Sequence, residues 1–218
     1  MQNKVTYIEQ AIARIAGGMS IMIGGFMTVG TPELLINELI RQGSDDLTVI
    51  CNDAGIPGKG AGKLIDTGCI KKYFASHVGL NPSFGNLMNQ GEIEAVLVPQ
   101  GTLAERIRAG GTGLGGVLTP TGVGTDVEKG KQVITIEGKK YLLELPLRAN
   151  IALIKAHKAD KSGNLIFRKS ARNFNPVMAM ACDYTIVEAD HIVETGSIDP
   201  EHVMLPGLFV NAVVQGGA

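Results

Sequence analysis

Gly24-Gly25-Phe26-Met27-Thr28-Val29-Gly30-Thr31-Pro32 separates an apolar run at 19–23 from a helical pattern that lasts until Gly43. The run reads as a strand. Ile36, Leu39 and Ile40 form the buried stripe of the helix, Thr31 is its expected N-cap, and Pro32 suits its first turn. A strand, a glycine loop and a helix N-terminus in that order leave unpaired backbone N–H groups that can face an anion. The same glycines also fit a tight turn that needs positive φ and nothing more.

Outward from this stretch the pattern repeats. Upstream, Thr6-x-x-Glu9 reads as a capping box for a helix carrying Ile8, Ala11, Ile12 and Ile15, with Gly17-Gly18 as its stop. Downstream, strands are expected over 47–51, 70–75 and 95–98, with a short helical piece around Leu64 and Ile65 and helices over 82–90 and 102–109. Strand and helix alternate, which predicts an α/β fold: an open, mostly parallel sheet with helices on both faces. Residues 110–130, rich in Gly and Thr and holding Pro120, break the pattern and are expected to form a functional loop. Segments 133–137 and 141–144, joined through Gly138-Lys139-Lys140, read as a β-hairpin set on the main sheet. A strand over 151–155, a helix over 175–181 and a strand over 184–187 continue that sheet. No linker, charge block or repeat divides the chain, so a single domain over 1–218 is expected.

Composition bounds the function. The 218 residues suffice for one well-filled α/β domain, and 44% hydrophobic residues give it a core. A net charge of -1 provides no global field to recruit nucleic acid or an anionic membrane, so any anion site must be local. The nearly uncharged run over 15–35 is interrupted by glycines and Pro32 and carries Glu33, which makes it a poor membrane span. Met1-Gln2-Asn3-Lys4 leads into a segment with Glu9 and Arg14, unlike the apolar core of a signal peptide, and a cytoplasmic protein is expected. Cys51, Cys69 and Cys182 form no Cys-x-x-Cys, and His77, His157, His191 and His202 form no His-x-x-x-His, so no metal site is expected.

Doubly wound sheets bind ligands beyond the carboxyl ends of their strands. Three expected strand exits carry distinctive residues: Gly24-Gly25-Phe26, Asn52-Asp53 and Pro99-Gln100-Gly101. If those strands are neighbours, a glycine loop and two amides meet in one cleft, where Asn52 and Gln100 could donate to a carbonyl oxygen without carrying charge. Each is also ordinary turn chemistry. Gly111-Thr112-Gly113-Leu114-Gly115-Gly116 satisfies G-x-G-x-x-G, but an expected helix precedes it, whereas the dinucleotide fingerprint follows a strand. Gly62-Lys63 is followed by Leu64, so no ATP loop is present, and no G-x-S-x-G elbow occurs. Cys51 reads as a core residue without a histidine nearby in sequence, and Glu9, Glu33, Glu38 and Glu105 fall on helices where solvation or the helix dipole explains them. The chain offers a binding surface without an attacking group. A nicotinamide-dependent oxidoreductase would rest on the 111–116 run alone, and a non-catalytic acyl-CoA-sensing module on the glycine loop alone.

Three longer motifs carry a resemblance. Ile23-Gly24-Gly25-Phe26-x-x-x-Gly30-x-Pro32, the run from Pro99-Gln100-Gly101-Thr102-Leu103-Ala104-Glu105 through Arg106-Ile107-Arg108-Ala109-Gly110-Gly111, and Ser170-Ala171-Arg172-Asn173-Phe174-Asn175-Pro176 are similar to the α subunit of a family I CoA-transferase. The likeness is nearest to the acetate or acetoacetate (short-chain fatty acid) type and extends to Pro206-Gly207-Leu208-Phe209-Val210. It implies an enzyme active only with a β subunit, often as α2β2, that moves CoA from an acyl-CoA of the acetyl or acetoacetyl type to a free acid by a ping-pong route. The attacking glutamate of that family lies on the β chain in a Ser-Glu-Asn-Gly sequence, which is absent here. By resemblance, Gly24, Gly25, Phe26, Met27, Thr28, Val29 and Gly30 form the CoA-contacting loop, Gln100 donates to the developing oxyanion, and Asn52 lies beside the acyl group. CoA and acyl-CoA are substrates, and no further cofactor is implied. Arg172 and Asn173 match the third motif without an assigned role. One departure is Gly17-Gly18, where the family has Asp or Asn followed by Gly. The expected consequence is confined to the end of the first helix.

Overall fold

The computed structural model describes residues 2–217. Its elements run α1 (Ile8–Ile12), β1 (Ser20–Ile23), α2 (Glu33–Gln42), β2 (Leu47–Cys51), α3 (Gly62–Ile65), β3 (Ile70–Ala75), α4 (Pro82–Gln90), β4 (Glu94–Leu97) and α5 (Gln100–Thr112). They continue with β5 (Val117–Thr119), β6 (Val133–Ile136), β7 (Lys139–Glu144), β8 (Ala149–Asp160), β9 (Leu165–Ile166), α6 (Asn175–Met180), β10 (Cys182–Val193) and β11 (Ala212–Gln215). The main sheet has the order β11-β10-β8-β1-β2-β3-β4, every pairing in that path parallel, with β9 antiparallel on β8.

Consecutive strand residues point to opposite faces, and both faces of the central strands are buried. Ile21 and Ile23, Val49 and Cys51, and Ile151 and Leu153 belong to one core with α1, α2, α3 and α4. Met22, Ile50, Ala152 and Ile154 face the other core with α5 and α6. Strands buried on both sides read as continuous apolar runs, which is why they were visible in the sequence. The expected open, mostly parallel sheet with helices on both faces is what forms. From β1 the chain steps outward through β2, β3 and β4, then returns to lay β8, β10 and β11 on the other side. Strand order therefore reverses between β1 and β8, and the carboxyl ends there are the natural ligand position. The glycine loop leaves β1 at that point.

Several boundaries differ from expectation for identifiable reasons. The Thr6 hydroxyl bonds the Gln10 side chain instead of capping α1, which ends at Ile12. Gly17-Gly18 is a turn into β1, held by a bond from the Gly18 N–H to the Asp45 carbonyl (3.0 Å), so it does not stop the helix. Residues 110–130 are partly regular: α5 runs on to Thr112, β5 follows, and a short 3-10 turn spans Asp126–Glu128. The expected small β-hairpin excursion of β6 and β7 forms, and β5 adds a third strand to it, making a three-stranded antiparallel sheet apart from the main one. Its turn is tighter than expected because Glu137 (φ 49°) and Gly138 (φ 77°) both take positive φ, which lets Lys139 pair with Ile136. No helix among the described residues is long and apolar enough to cross a membrane.

Candidate active site

Side-by-side packing of β1, β2, β3 and β4 brings the strand exits into hydrogen-bond contact. Asn52 and Asp53, at the exit of β2, are 1% and 4% exposed. Asp53 Oδ2 accepts from the Met27 backbone N–H in the glycine loop and from Asn52 Nδ2, each at 2.8 Å, while Oδ1 accepts from the Gly55 N–H at 2.8 Å. Asn52 Oδ1 accepts from Gln100 Nε2 at 2.8 Å. From the β3 exit, Ser76 Oγ stands 2.8 Å from the Asn52 carbonyl and 3.1 Å from its Oδ1, and the Tyr73 hydroxyl donates to the Asp53 carbonyl at 2.8 Å. The three exits singled out in the sequence thus form one continuous network, with the exposed Gln100 at its solvent end. Gln100 Nε2 has a second N–H with no partner among the described residues.

The loop itself is shaped by close contacts. A Cβ on Gly24 would lie 1.8 Å from Asn175 Oδ1, and one on Gly30 (φ 74°) would lie 2.9 Å from Ala171 Cα. Phe26 and Val29 exchange both backbone bonds, at 3.1 and 2.9 Å, which forces Met27 to φ 55° and Thr28 to φ 139°. Such backbone costs about 1–3 kcal/mol per residue and persists only where neighbours hold it. Here Asp53 holds Met27, Asn173 Nδ2 donates to the Val29 carbonyl (2.9 Å), and Asn175 Nδ2 donates to the carbonyls of Gly30 (2.9 Å) and Ala171 (2.8 Å). The outcome is a braced tip with Phe26, Met27 and Val29 exposed. Asn173 braces the loop, and Arg172 is exposed at the end of the neighbouring 3-10 turn Lys169–Arg172.

The N-terminus of α2, where the sequence suggests N–H groups free to face an anion, is complemented from within the chain. Buried Glu188, from β10, places Oε2 2.8 Å from the Leu34 N–H and 3.3 Å from the Leu35 N–H, and the Glu33 N–H bonds the Thr31 carbonyl. Thr31 makes no side-chain cap, and Pro32 takes the cap position. A carboxylate from the chain itself already complements that helix end. Lys155 pairs with Glu188 at 2.8 Å and with Asp190 at 2.6 Å. Burial works against the Lys155 charge, but its hydrogen bonds to Asp190 and Glu188 outweigh burial and hold its pKa above the ordinary lysine value.

Asp53, Ser76, Tyr73 and Asn175 were not assigned roles from the sequence. Asp53 looked like turn chemistry, and Asn175 lay in a quoted motif, so position beside a glycine loop was the available signal. Cys51 is a core thiol: burial, with the Asp53 charge adding to it, pushes its pKa up to about 12. Iodoacetamide at about pH 8 is therefore expected to leave Cys51 unmodified in the folded chain and to label it in urea, read by peptide mass spectrometry. Labelling of Cys51 in the folded chain would contradict this. The 111–116 glycine run ends α5, with Gly113 as its left-handed cap and β5 beyond, so no strand feeds it as dinucleotide binding requires. A cleft of about 490 Å³ lined by Ile65, Asp66, Ile70, Asn86, Leu87 and Ile93 opens at the amino ends of β3 and β4 and shares no residue with the network.

The family model described as Coenzyme A transferase matches residues 5–216. The acetate CoA-transferase subunit alpha of Escherichia coli K12 is 51% identical over 98% of this chain and 97% of its own length. The acetoacetyl-CoA:acetate/butyrate CoA transferase alpha subunit of Clostridium acetobutylicum is 48% identical over 99% of each chain. Among solved structures, glutaconate coenzyme A-transferase from Acidaminococcus fermentans has the same fold, with a TM-score of 0.87 at 24% identity over 98% of this chain and 76% of that one. The acyl-CoA transferase YdiF of Escherichia coli O157:H7, as a thioester complex with CoA, gives 0.88 at 22% identity over 98% of this chain and 47% of that one. Likeness to transferase subunits along the full chain leaves the oxidoreductase and sensing-module readings without support. The match of the family model along nearly the whole chain and the identity to the two alpha subunits show that this chain belongs to the coenzyme A transferase family.

Proposed function

We propose that the chain is a single-domain α subunit, cytoplasmic and working in an α2β2 assembly, that moves CoA between a short-chain acyl-CoA of the acetyl or acetoacetyl type and a free carboxylic acid. Relatives named as alpha subunits of acetate and acetoacetyl-CoA transferases support the substrate class and the need for a second chain. Three free cysteines agree with a reducing compartment. The observation that carries the reading is the unpaired N–H of Gln100 at the mouth of the network, beside a braced glycine loop.

A β-chain glutamate attacks the thioester carbonyl carbon, and the tetrahedral oxyanion accepts the free Gln100 N–H. Collapse expels CoA thiolate and leaves an acyl-glutamyl anhydride. The thiolate then attacks the glutamyl carbonyl, releasing the first acid as its carboxylate and forming glutamyl-CoA thioester. A second carboxylate reverses these steps. Bond energy passes from thioester to thioester, so no nucleotide is consumed. The tip residues Phe26, Met27 and Val29 contact CoA in this scheme, and Asn52 lies beside the acyl group.

Only an interaction that strengthens in the transition state raises turnover. In the α–β complex, Gln100→Ala is expected to lower kcat on the order of 10²-fold while KM for acetyl-CoA changes less than about threefold. A loss confined to KM would overturn the donor role.

A further inference from the structure

We propose that Asp53 is a positioning residue for CoA transfer: through Asn52 it sets which end of the Gln100 amide is held and which N–H is left for the substrate, and it ties that orientation to the glycine loop. The proposal rests on the reading of Gln100 as the oxyanion donor. A carboxylate has no proton to give, so every group touching Asp53 must approach N–H first. Asn52 therefore turns Nδ2 toward Asp53 Oδ2 and is left with Oδ1 facing Gln100. An acceptor there draws Nε2 of Gln100 instead of Oε1. One of the two Nε2 hydrogens is held by Asn52, and the planar amide fixes the direction of the other.

An amide without such an anchor can present oxygen or nitrogen by a half-turn about its last torsion, with little steric difference. The series Asp53, Asn52, Gln100 permits one sense only. The same Oδ2 that orients Asn52 also holds the Met27 N–H, and Oδ1 holds the Gly55 N–H, so the strained tip of the loop and the amide series share one carboxylate. Tyr73, bonded to the Asp53 carbonyl, fixes the backbone from below. A displacement of the loop tip is thereby felt at the donor.

Asp53→Asn preserves shape and replaces one acceptor oxygen with a donor. With its nitrogen in the place of Oδ2 the new amide meets the N–H groups of Met27 and Asn52, and turning Asn52 over relieves one of the two; with its nitrogen in the place of Oδ1 it meets the Gly55 N–H and leaves a neutral amide oxygen as the anchor of Asn52. In either sense the carboxylate that fixes the sense of Asn52, and through it of Gln100, is gone. In the reconstituted α–β complex, Asp53→Asn is expected to lower kcat about tenfold or more, with KM for acetyl-CoA changed less than about threefold. Combined with Gln100→Ala it should be no slower than Gln100→Ala alone, because it acts through that side chain. Additive losses, or an unimpaired Asp53→Asn beside a slow Gln100→Ala, would overturn the positioning role and leave the donor role standing. An unchanged kcat in Gln100→Ala would overturn both. If Asp53→Asn does not assemble with the β chain, Asn52→Ala carries the test, since it leaves the two backbone bonds of Asp53 in place. The same kcat loss and the same non-additivity with Gln100→Ala are expected, and additivity overturns the proposal.

Discussion

Purified alone, the chain is expected to show no CoA transfer above buffer background, and addition of its β chain should restore turnover. The expectation comes from where its carboxylates sit. Asp53, at the centre of the network, is buried and accepts three N–H bonds. Glu33 accepts from the Gly60 N–H at 2.7 Å and pairs with Lys63 at 2.5 Å. Glu188 is committed to Lys155 and to the end of α2. Asp53 and Glu188 cannot leave their partners to attack a thioester without stranding buried donors or a buried charge, a penalty of several kcal/mol added to the barrier, and moving Glu33 strands the buried Gly60 N–H. Losing a covalent nucleophile costs on the order of 10⁶-fold in other enzymes, and a donor amide alone does not replace it. Exchange of label between acetyl-CoA and free acid, with each chain alone and with both, measures this directly. Robust exchange by the lone chain would remove the shared-site reading.

The sheet was legible because its strands are apolar on both faces, so Ile21-Met22-Ile23 and Leu47 to Cys51 stand out against any helical period. The convergence of the glycine loop, Asn52 and Gln100 was legible because strand exits share one edge of a parallel sheet. What remained hidden depends on partners far apart in sequence. Glu188 displaces Thr31 as the partner of the α2 N-terminus across more than a hundred residues, and no local signal marks it. β8 and β10 run well past their expected ends because Lys155, His157, Glu188 and Asp190 interrupt the apolar pattern while pairing with one another. The third strand of the small sheet was not legible because β5 is three residues long and sits in a glycine-rich run that resembles a loop until β7 pairs with it. Asn52-Asp53 looks the same as turn chemistry until the neighbouring strands supply Met27, Ser76 and Gln100.

Lys155→Met is expected to destabilise the folded chain by about 3 to 4 kcal/mol, the scale of a buried ion pair deprived of one partner. The substitution fills the same volume but leaves Glu188, 2% exposed, with backbone donors only, and Asp190 with His157 at 3.4 Å. Denaturant melts at several pH values separate this from a simple packing defect. The Lys155 pKa is raised, so its contribution is complete below the ordinary lysine value of 10.5 and is lost as pH rises through a folded value above it. Burial would raise Asp190, but the hydrogen bond and charge of Lys155 overcome burial and hold it below its ordinary 3.8. Its contribution is therefore complete above that value and is lost as pH falls through a lower one. The gap between wild type and Lys155→Met should be level from about pH 5 to about pH 9 and narrow on both sides. A gap independent of pH at both extremes would mean that the side chain matters for its volume and not its charge. The backbone N–H of residue 155 still reaches Asn175 Oδ1 in the variant, so the clamp on the glycine loop survives, and turnover per folded α–β complex should stay near wild type. A fall in kcat that matches the fall in stability would instead place Lys155 in the transfer machinery.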